Sequence, residues 1–254
     1  MVFGASNASA RALRTTPLRL SPYELLYVSV AINGQKAVAM IDTGSFIALQ
    51  VSQALADRLR LTTVPSNISM EGYDFGKIRL KLARINSLEL GGVKQATKEV
   101  AVSDRIAPVA EEVGTPFEAI LGMGFFARRD VVIDYKALQL RLDDRPDSRG
   151  VIDLPLEIVN FAPIVPGSAD GKAVKFLVDT GSPTCVLDST TFSLKANTFA
   201  EREIRLGDRT QGMRCLGQDL TLNKPLGISG IIGNNLLKQY AVSFNHADDR
   251  LELS

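Results

Sequence analysis

The chain carries one segment twice, in the same register. Lys36-Ala37-Val38-Ala39-Met40-Ile41 leads into Asp42-Thr43-Gly44-Ser45, and Lys172-Ala173-Val174-Lys175-Phe176-Leu177-Val178 leads into Asp179-Thr180-Gly181-Ser182. The glycines after Asp-Thr lie 181 − 44 = 137 positions apart, and Gly34 and Gly171, each at the turn of a candidate hairpin, keep that offset. Upstream, Pro17-Leu18-Arg19-Leu20 is echoed by Pro155-Leu156-Glu157-Ile158. Downstream, Ala119-Ile120-Leu121-Gly122 answers Gly230-Ile231-Ile232-Gly233 with an offset of 233 − 122 = 111, which the candidate strands 131–134 and 241–245 share. The second copy therefore lacks 137 − 111 = 26 residues between its Asp-Thr-Gly and its apolar-Gly element. Two copies of one unit must find two copies of one fold, and paired repeats bring equivalent residues together at a twofold axis.

A chain of 254 residues divides naturally into two lobes on this pattern. The run 143–150 is polar and broken by Pro146 and Gly150, as a connector is. The expected layout is a polar N-terminal arm at 1–16, a first lobe at 17–145, a linker at 146–153 and a second lobe at 154–254. Short runs rich in Val, Ile and Leu, such as 26–32, 77–82 and 174–178, read as strands. Helices are few: Ser52 can cap 53–59, and brief turns follow Gly122 and Gly233. The class is all-β with minor helix.

Lys and Arg total 29 against 28 for Asp and Glu, with no long run of one sign, so no nucleic-acid footprint or polybasic patch is present. Arg128-Arg129 and Asp143-Asp144 read as solvated surface charge. Cys185 and Cys215 are the only cysteines, which excludes a disulfide-dense scaffold or a multi-cysteine metal site. Two buried free thiols and one bridge within the second half both remain open. The single histidine, His246, sits in a polar turn beside Asp248 and Asp249, and no His-Glu-x-x-His occurs. That leaves a serine, cysteine or zinc peptidase without its base or its ligands. No apolar run reaches membrane-spanning length, and 1–20 has no apolar signal core.

One Asp-Thr-Gly is usually no more than a tight turn. Two at equivalent positions of a repeat place Asp42 opposite Asp179. Like charges held that close cannot both ionise, so the pair shares one proton and contains both an acid and a base.

These doubled elements, Asp-Thr-Gly-Ser together with Ile120-Leu121-Gly122 and Ile231-Ile232-Gly233, resemble the pepsin and retropepsin superfamily of aspartic peptidases from about Pro17 to Leu253. Lobe length is closer to the retropepsin unit, so the chain is similar to a single-chain tandem of two such lobes and to bacterial aspartyl-protease families. The resemblance implies a bilobal acid-protease fold: two related closed β-barrel-like lobes with a cleft between them. It implies an aspartic endopeptidase in which Asp42 and Asp179 activate a water. Thr43 and Thr180 would bond across the twofold, Gly44 and Gly181 would aim N–H groups at the carboxylates, and Ser45 and Ser182 would reach their outer oxygens. It also implies a flap hairpin over the cleft, for which Gly72, Tyr73, Asp74, Phe75 and Gly76 are the candidates. The polar run 207–212 is the second-lobe counterpart, in the shortened copy. No cofactor and no metal are implied. The expected partner is a peptide or protein substrate, with no nucleic acid and no transmembrane segment, and the chain is expected to be a monomer. Localisation leans to an exported bacterial protein, periplasmic or extracellular, with any signal outside this sequence. The alternative is a catalytically silent peptide-binding module of the same fold.

Overall fold

The computed structural model describes residues 14–72, 76–127, 129–143 and 150–254. The first half runs β1 (Arg14–Leu20), β2 (Leu26–Ile32), β3 (Gln35–Asp42), β4 (Leu49–Ser52), α1 (Gln53–Arg58), β5 (Val64–Gly72), β6 (Gly76–Leu90), β7 (Val93–Ser103), α2 (Ile106–Glu112), β8 (Ala119–Gly122), α3 (Met123–Phe126), β9 (Val131–Asp134) and β10 (Gln139–Leu142). The second runs β11 (Ile152–Pro155), β12 (Glu157–Val159), β13 (Ala162–Ala169), β14 (Lys172–Val178), β15 (Cys185–Asp188), β16 (Phe199–Leu206), β17 (Arg209–Gln218), a 3₁₀ turn (Thr221–Leu226), β18 (Ile228–Ile232), α4 (Asn234–Leu237), β19 (Ala241–Asn245) and β20 (Arg250–Leu253). The protein is mostly β, with two related lobes of curled sheet and a few short helices.

The same local chemistry builds both lobes. Each opens on a hairpin closed by two residues at positive φ, Asn33-Gly34 between β2 and β3 and Asp170-Gly171 between β13 and β14. Asn-Gly and Asp-Gly favour the type I′ turn, whose twist matches that of the flanking strands. The Asn33 and Asp170 side chains also accept an N–H from the neighbouring strand, from Ser87 at 3.1 Å and from Glu203 at 3.0 Å. The strand leaving the turn is the central one. β3 pairs parallel to β8 and β14 pairs parallel to β18, which buries Ile41, Phe176 and Val178 completely. Such a strand needs the near-continuous apolar run that leads into each Asp-Thr-Gly. Ser52 caps α1 by accepting the Leu55 N–H at 3.1 Å.

A six-stranded sheet joins the lobes in the order β11-β20-β19-β9-β10-β1. Its middle pair, β9 with β19, matches Val131 to Phe244 and Ile133 to Val242 across the two halves. β1 serves both structures: Arg14 to Pro17 pair with β10, and Leu18 to Leu20 pair with β2.

Strand register locates the 26-residue difference between the copies. Ile32 pairs with Leu88 and Ala169 with Ile204, so β6 and β16 correspond with an offset of 204 − 88 = 116. Of the difference, 137 − 116 = 21 residues are lost between β4 and β6, and 116 − 111 = 5 between β7 and β8. The second lobe therefore has no counterpart of β5 or of the outer half of β6.

Several expectations change. Pairing starts at Arg14, inside the segment read as an arm, and at Ile152, inside the segment read as linker. Arg129 and Asp143 are not solvated charge. They form a two-pronged ion pair at 3.0 and 3.1 Å with most of both side chains covered. Arg128 and Asp144 lie outside the described residues. Cys185 and Cys215 are free, buried register partners on the parallel strands β15 and β17. α2 and the 3₁₀ turn fall where no helix was expected; α2 is short, but its Ile106, Val109, Ala110 and Val113 stand at helical spacing and pack into one apolar cluster.

Phe176 packs on Gly230, where an added Cβ would fall 2.5 Å from its ring. Truncating a fully buried phenylalanine loses its transfer free energy and leaves a cavity. Phe176→Ala is expected to cost about 3–5 kcal/mol, read as a lower urea midpoint with an unchanged slope.

Candidate active site

Each Asp-Thr-Gly occupies the turn after its central strand, and the two turns meet at the axis between the lobes. The threonines lock them. Thr43 N–H donates to Thr180 Oγ1 and Thr180 N–H to Thr43 Oγ1, both at 3.0 Å. The hydroxyls then donate onward, Thr43 to the Val178 carbonyl at 2.7 Å and Thr180 to the Ile41 carbonyl at 2.9 Å. Both threonines are fully buried, so every donor and acceptor in this four-bond ring is paired out of water.

The glycines make the close approach possible. A Cβ on Gly44 would fall 2.4 Å from the Asp179 carboxyl carbon, and one on Gly181 would fall 2.6 Å from that of Asp42. No other residue fits at either position without driving the carboxyls apart. Gly122 and Gly233 play a similar part behind the turns, where a Cβ would fall 2.1 Å from the Ile47 carbonyl oxygen and 2.2 Å from that of Thr184. This is why an apolar-Gly element recurs in both copies.

Asp42 and Asp179 share a side-chain hydrogen bond and keep only part of their surface open to the cleft. Burial raises both carboxyls above the ordinary range. Beyond burial, the charge of the facing Asp179 carboxyl also raises Asp42. Backbone N–H groups of Gly44 and Ser45 pull Asp42 back down, and those of Gly181, Gly44 and Ser182 do the same for Asp179. The shortest of these are Ser45 N–H to Asp42 at 2.9 Å and Gly181 N–H to Asp179 at 2.8 Å. The arrangement can hold one proton between two carboxyls in a water-poor site, which is what general acid–base chemistry at neutral groups requires.

The serines behave differently from expectation. Their contacts with the dyad come through backbone N–H, while the Ser182 hydroxyl donates to the Thr184 carbonyl at 2.8 Å and the Ser45 hydroxyl accepts from Gln50 at 3.1 Å. Of the flap candidates, Gly72 and Gly76 are register partners closing the β5–β6 hairpin, and Tyr73, Asp74 and Phe75 lie outside the described residues. The run 207–212 is not a second flap. Gly207 and Asp208 form the turn between β16 and β17, the counterpart of Gly91-Gly92 between β6 and β7, and Gly207 rests against Leu154 of β11.

Polar residues behind the turns complete the site. Asn235 accepts the Cys185 N–H at 2.8 Å and donates to the Arg214 carbonyl at 2.9 Å. Asn234, fully buried, donates to the Thr180 carbonyl at 2.8 Å and accepts from the Tyr135 hydroxyl at 2.6 Å. Sequence reading passed over Asn234 and Tyr135. The signal that could have found them is the alignment of the copies, which sets Asn234 opposite Met123 and Tyr135 opposite His246 at the 111 offset.

Residues 28–125 match a family model described as aspartyl protease, a span that contains Asp42 but not Asp179. A 138-residue stretch, 52% of this chain, is 30% identical to DNA damage-inducible protein 1 of Kluyveromyces lactis, and the match covers 30% of that protein's length. The chain is thus similar to retropepsin-like aspartyl proteases, and the matched segment is of aspartic-protease type.

Burial gives a signed pH dependence. A carboxyl whose folded pKa lies above its unfolded one contributes stability below about pH 4 and loses it as pH rises through the folded value. Removing Asp42 removes that loss. The melting temperature of Asp42→Asn is expected to gain on the wild type progressively above about pH 4 and to show no such gain at lower pH. Parallel curves from pH 3 to 8 would contradict the raised carboxyl.

Proposed function

We propose that the protein is an aspartic endopeptidase whose catalytic residues are Asp42 and Asp179. The observation that carries this reading is the pairing of two Asp-Thr-Gly turns from one chain with their carboxyls hydrogen-bonded. The aspartyl-protease match over the first turn supports it. In this reading the first lobe runs from β1 to β10 and the second from β11 to β20, the chain acts as a monomer, and the substrate is a peptide or protein lying in the cleft.

The chemistry follows from the shared proton. A water held between the carboxyls loses a proton to the ionised one as its oxygen attacks the scissile carbonyl carbon, and the protonated one donates to the carbonyl oxygen. The tetrahedral diol then collapses: the C–N bond breaks, the amine leaves with a proton from the first carboxyl, and a diol hydroxyl returns its proton to the second. No covalent enzyme intermediate forms. Thr43, Gly44, Thr180 and Gly181 hold the geometry, with Ser45 and Ser182 contributing their N–H groups.

The β5–β6 hairpin, closed by Gly72 and Gly76, is the flap in this reading, and the lack of a second-lobe counterpart makes it a single one. An extended peptide under it gains main-chain hydrogen bonds as an added strand, with side chains of alternate residues setting preference.

Digestion of a diverse peptide library from acid to neutral pH, read by mass spectrometry, tests the reading. Asp42→Asn and Asp179→Asn are each expected to lower cleavage by at least about 10²- to 10⁴-fold. Wild type and variants that are equally inert, yet bind peptides, would replace it with the silent binding module.

A further inference from the structure

The two turns are matched, but what stands behind them is not. Asn234 opens α4 with its N–H on the Ser182 carbonyl at 2.8 Å, and Met123 opens α3 with its N–H on the Ser45 carbonyl at the same distance. The two residues are structural counterparts. Asn234 reaches the carbonyl of Thr180 with an amide; a thioether at 123 has no proton to offer the carbonyl of Thr43. The phenol that completes the arrangement, Tyr135, comes from the first lobe, just after β9.

Chemistry alone fixes the direction of these bonds. The Thr180 carbonyl can only accept, so the Asn234 nitrogen must face it, and the Asn234 oxygen must then face Tyr135, which must donate. The chain continues through the peptide unit. The Thr180 carbonyl and the Gly181 N–H belong to the same amide, and that N–H donates to Asp179 Oδ1 at 2.8 Å. Three polar groups in series thus point their protons towards the Asp179 carboxyl: the Tyr135 hydroxyl, the Asn234 amide and the Thr180–Gly181 peptide. Bonds aligned in series polarise one another, and in a buried site each is strengthened by the low dielectric. Tyr135 and Asn234 are 4% and 0% exposed, so water does not interrupt the series.

We propose that Tyr135 and Asn234 are positioning residues whose one-way hydrogen-bond relay makes Asp179 the dyad member that begins the reaction ionised and leaves the proton on Asp42. This rests on the aspartic-peptidase reading for its catalytic meaning. Asp179 would then take the proton from the attacking water and Asp42 would protonate the scissile carbonyl oxygen. The phenol does not titrate in the working range, because burial first and then the Asp179 and Glu24 charges push it well above its ordinary value. The titratable groups facing Asp179 are Asp42 and Tyr135, while Glu24, ion-paired to Lys238, faces Tyr135.

Carbon-13 titration of aspartate carboxyls, beside the pH profile of kcat, decides it. In the wild type the first ionisation of the dyad is expected at Asp179. In Tyr135→Phe that ionisation and the acid limb of kcat should both move to higher pH, with kcat on that limb down about 3- to 10-fold and KM and the alkaline limb unchanged. Tyr135→Phe/Asn234→Met, which removes both ends of the phenol–amide bond, should move the same limb and serves if the single variant does not fold. A first ionisation at Asp42, or an acid limb and titration unmoved in the folded variant, overturns the relay. A wild type that cleaves nothing overturns the peptidase reading instead, and the carboxyl titration still decides the relay.

Discussion

The ring of four hydrogen bonds between Thr43 and Thr180 holds everything else in place, because it forces two carboxyls together that would otherwise repel. Two full charges 4 Å apart repel by about 4 kcal/mol at an effective dielectric of 20. Four buried hydrogen bonds contribute about 1 kcal/mol each, so the ring and the repulsion are of one size. Sharing a single proton removes most of the conflict, and the fold then has a dyad that is stable and unable to relax. The absence of a Cβ at Gly44 and Gly181 is the steric half of the same condition.

The six-stranded sheet makes the ring possible. β9 and β19 pair across the halves and each leads back, through α3 or α4, to the Gly122 or Gly233 element behind an Asp-Thr-Gly turn. Both turns therefore hang from one continuous β structure, and the buried core runs through both lobes without a break. Relative motion of the lobes would have to break strand pairs.

The two halves differ behind and beside the turns. The second lobe has no counterpart of β5, and the first lobe has a methionine where the second has the amide of Asn234. Two unlike halves in one chain are free to do this. A symmetric pair of identical subunits cannot place a donor behind one turn alone, whereas here Tyr135 and Asn234 belong to different copies and meet once.

The strand that buries Ile41 and Val178, the Asn-Gly and Asp-Gly turns, the Ser52 cap and the place of both Asp-Thr-Gly turns were all legible from sequence, since each depends on neighbours within a few positions. The doubling carried the one long-range inference, that Asp42 and Asp179 face each other, because symmetry makes contacts between equivalent positions without any knowledge of the path between. Other features were decided by tertiary structure. The Ser182 hydroxyl turned to the Thr184 carbonyl, Arg129 found Asp143, and 207–212 proved to be the far hairpin once register was known. Tyr135 and Asn234 are 99 residues apart and unrelated by the repeat. Their bond exists only because the sheet brings the β9 turn under α4, and no local pattern encodes a meeting between non-equivalent positions.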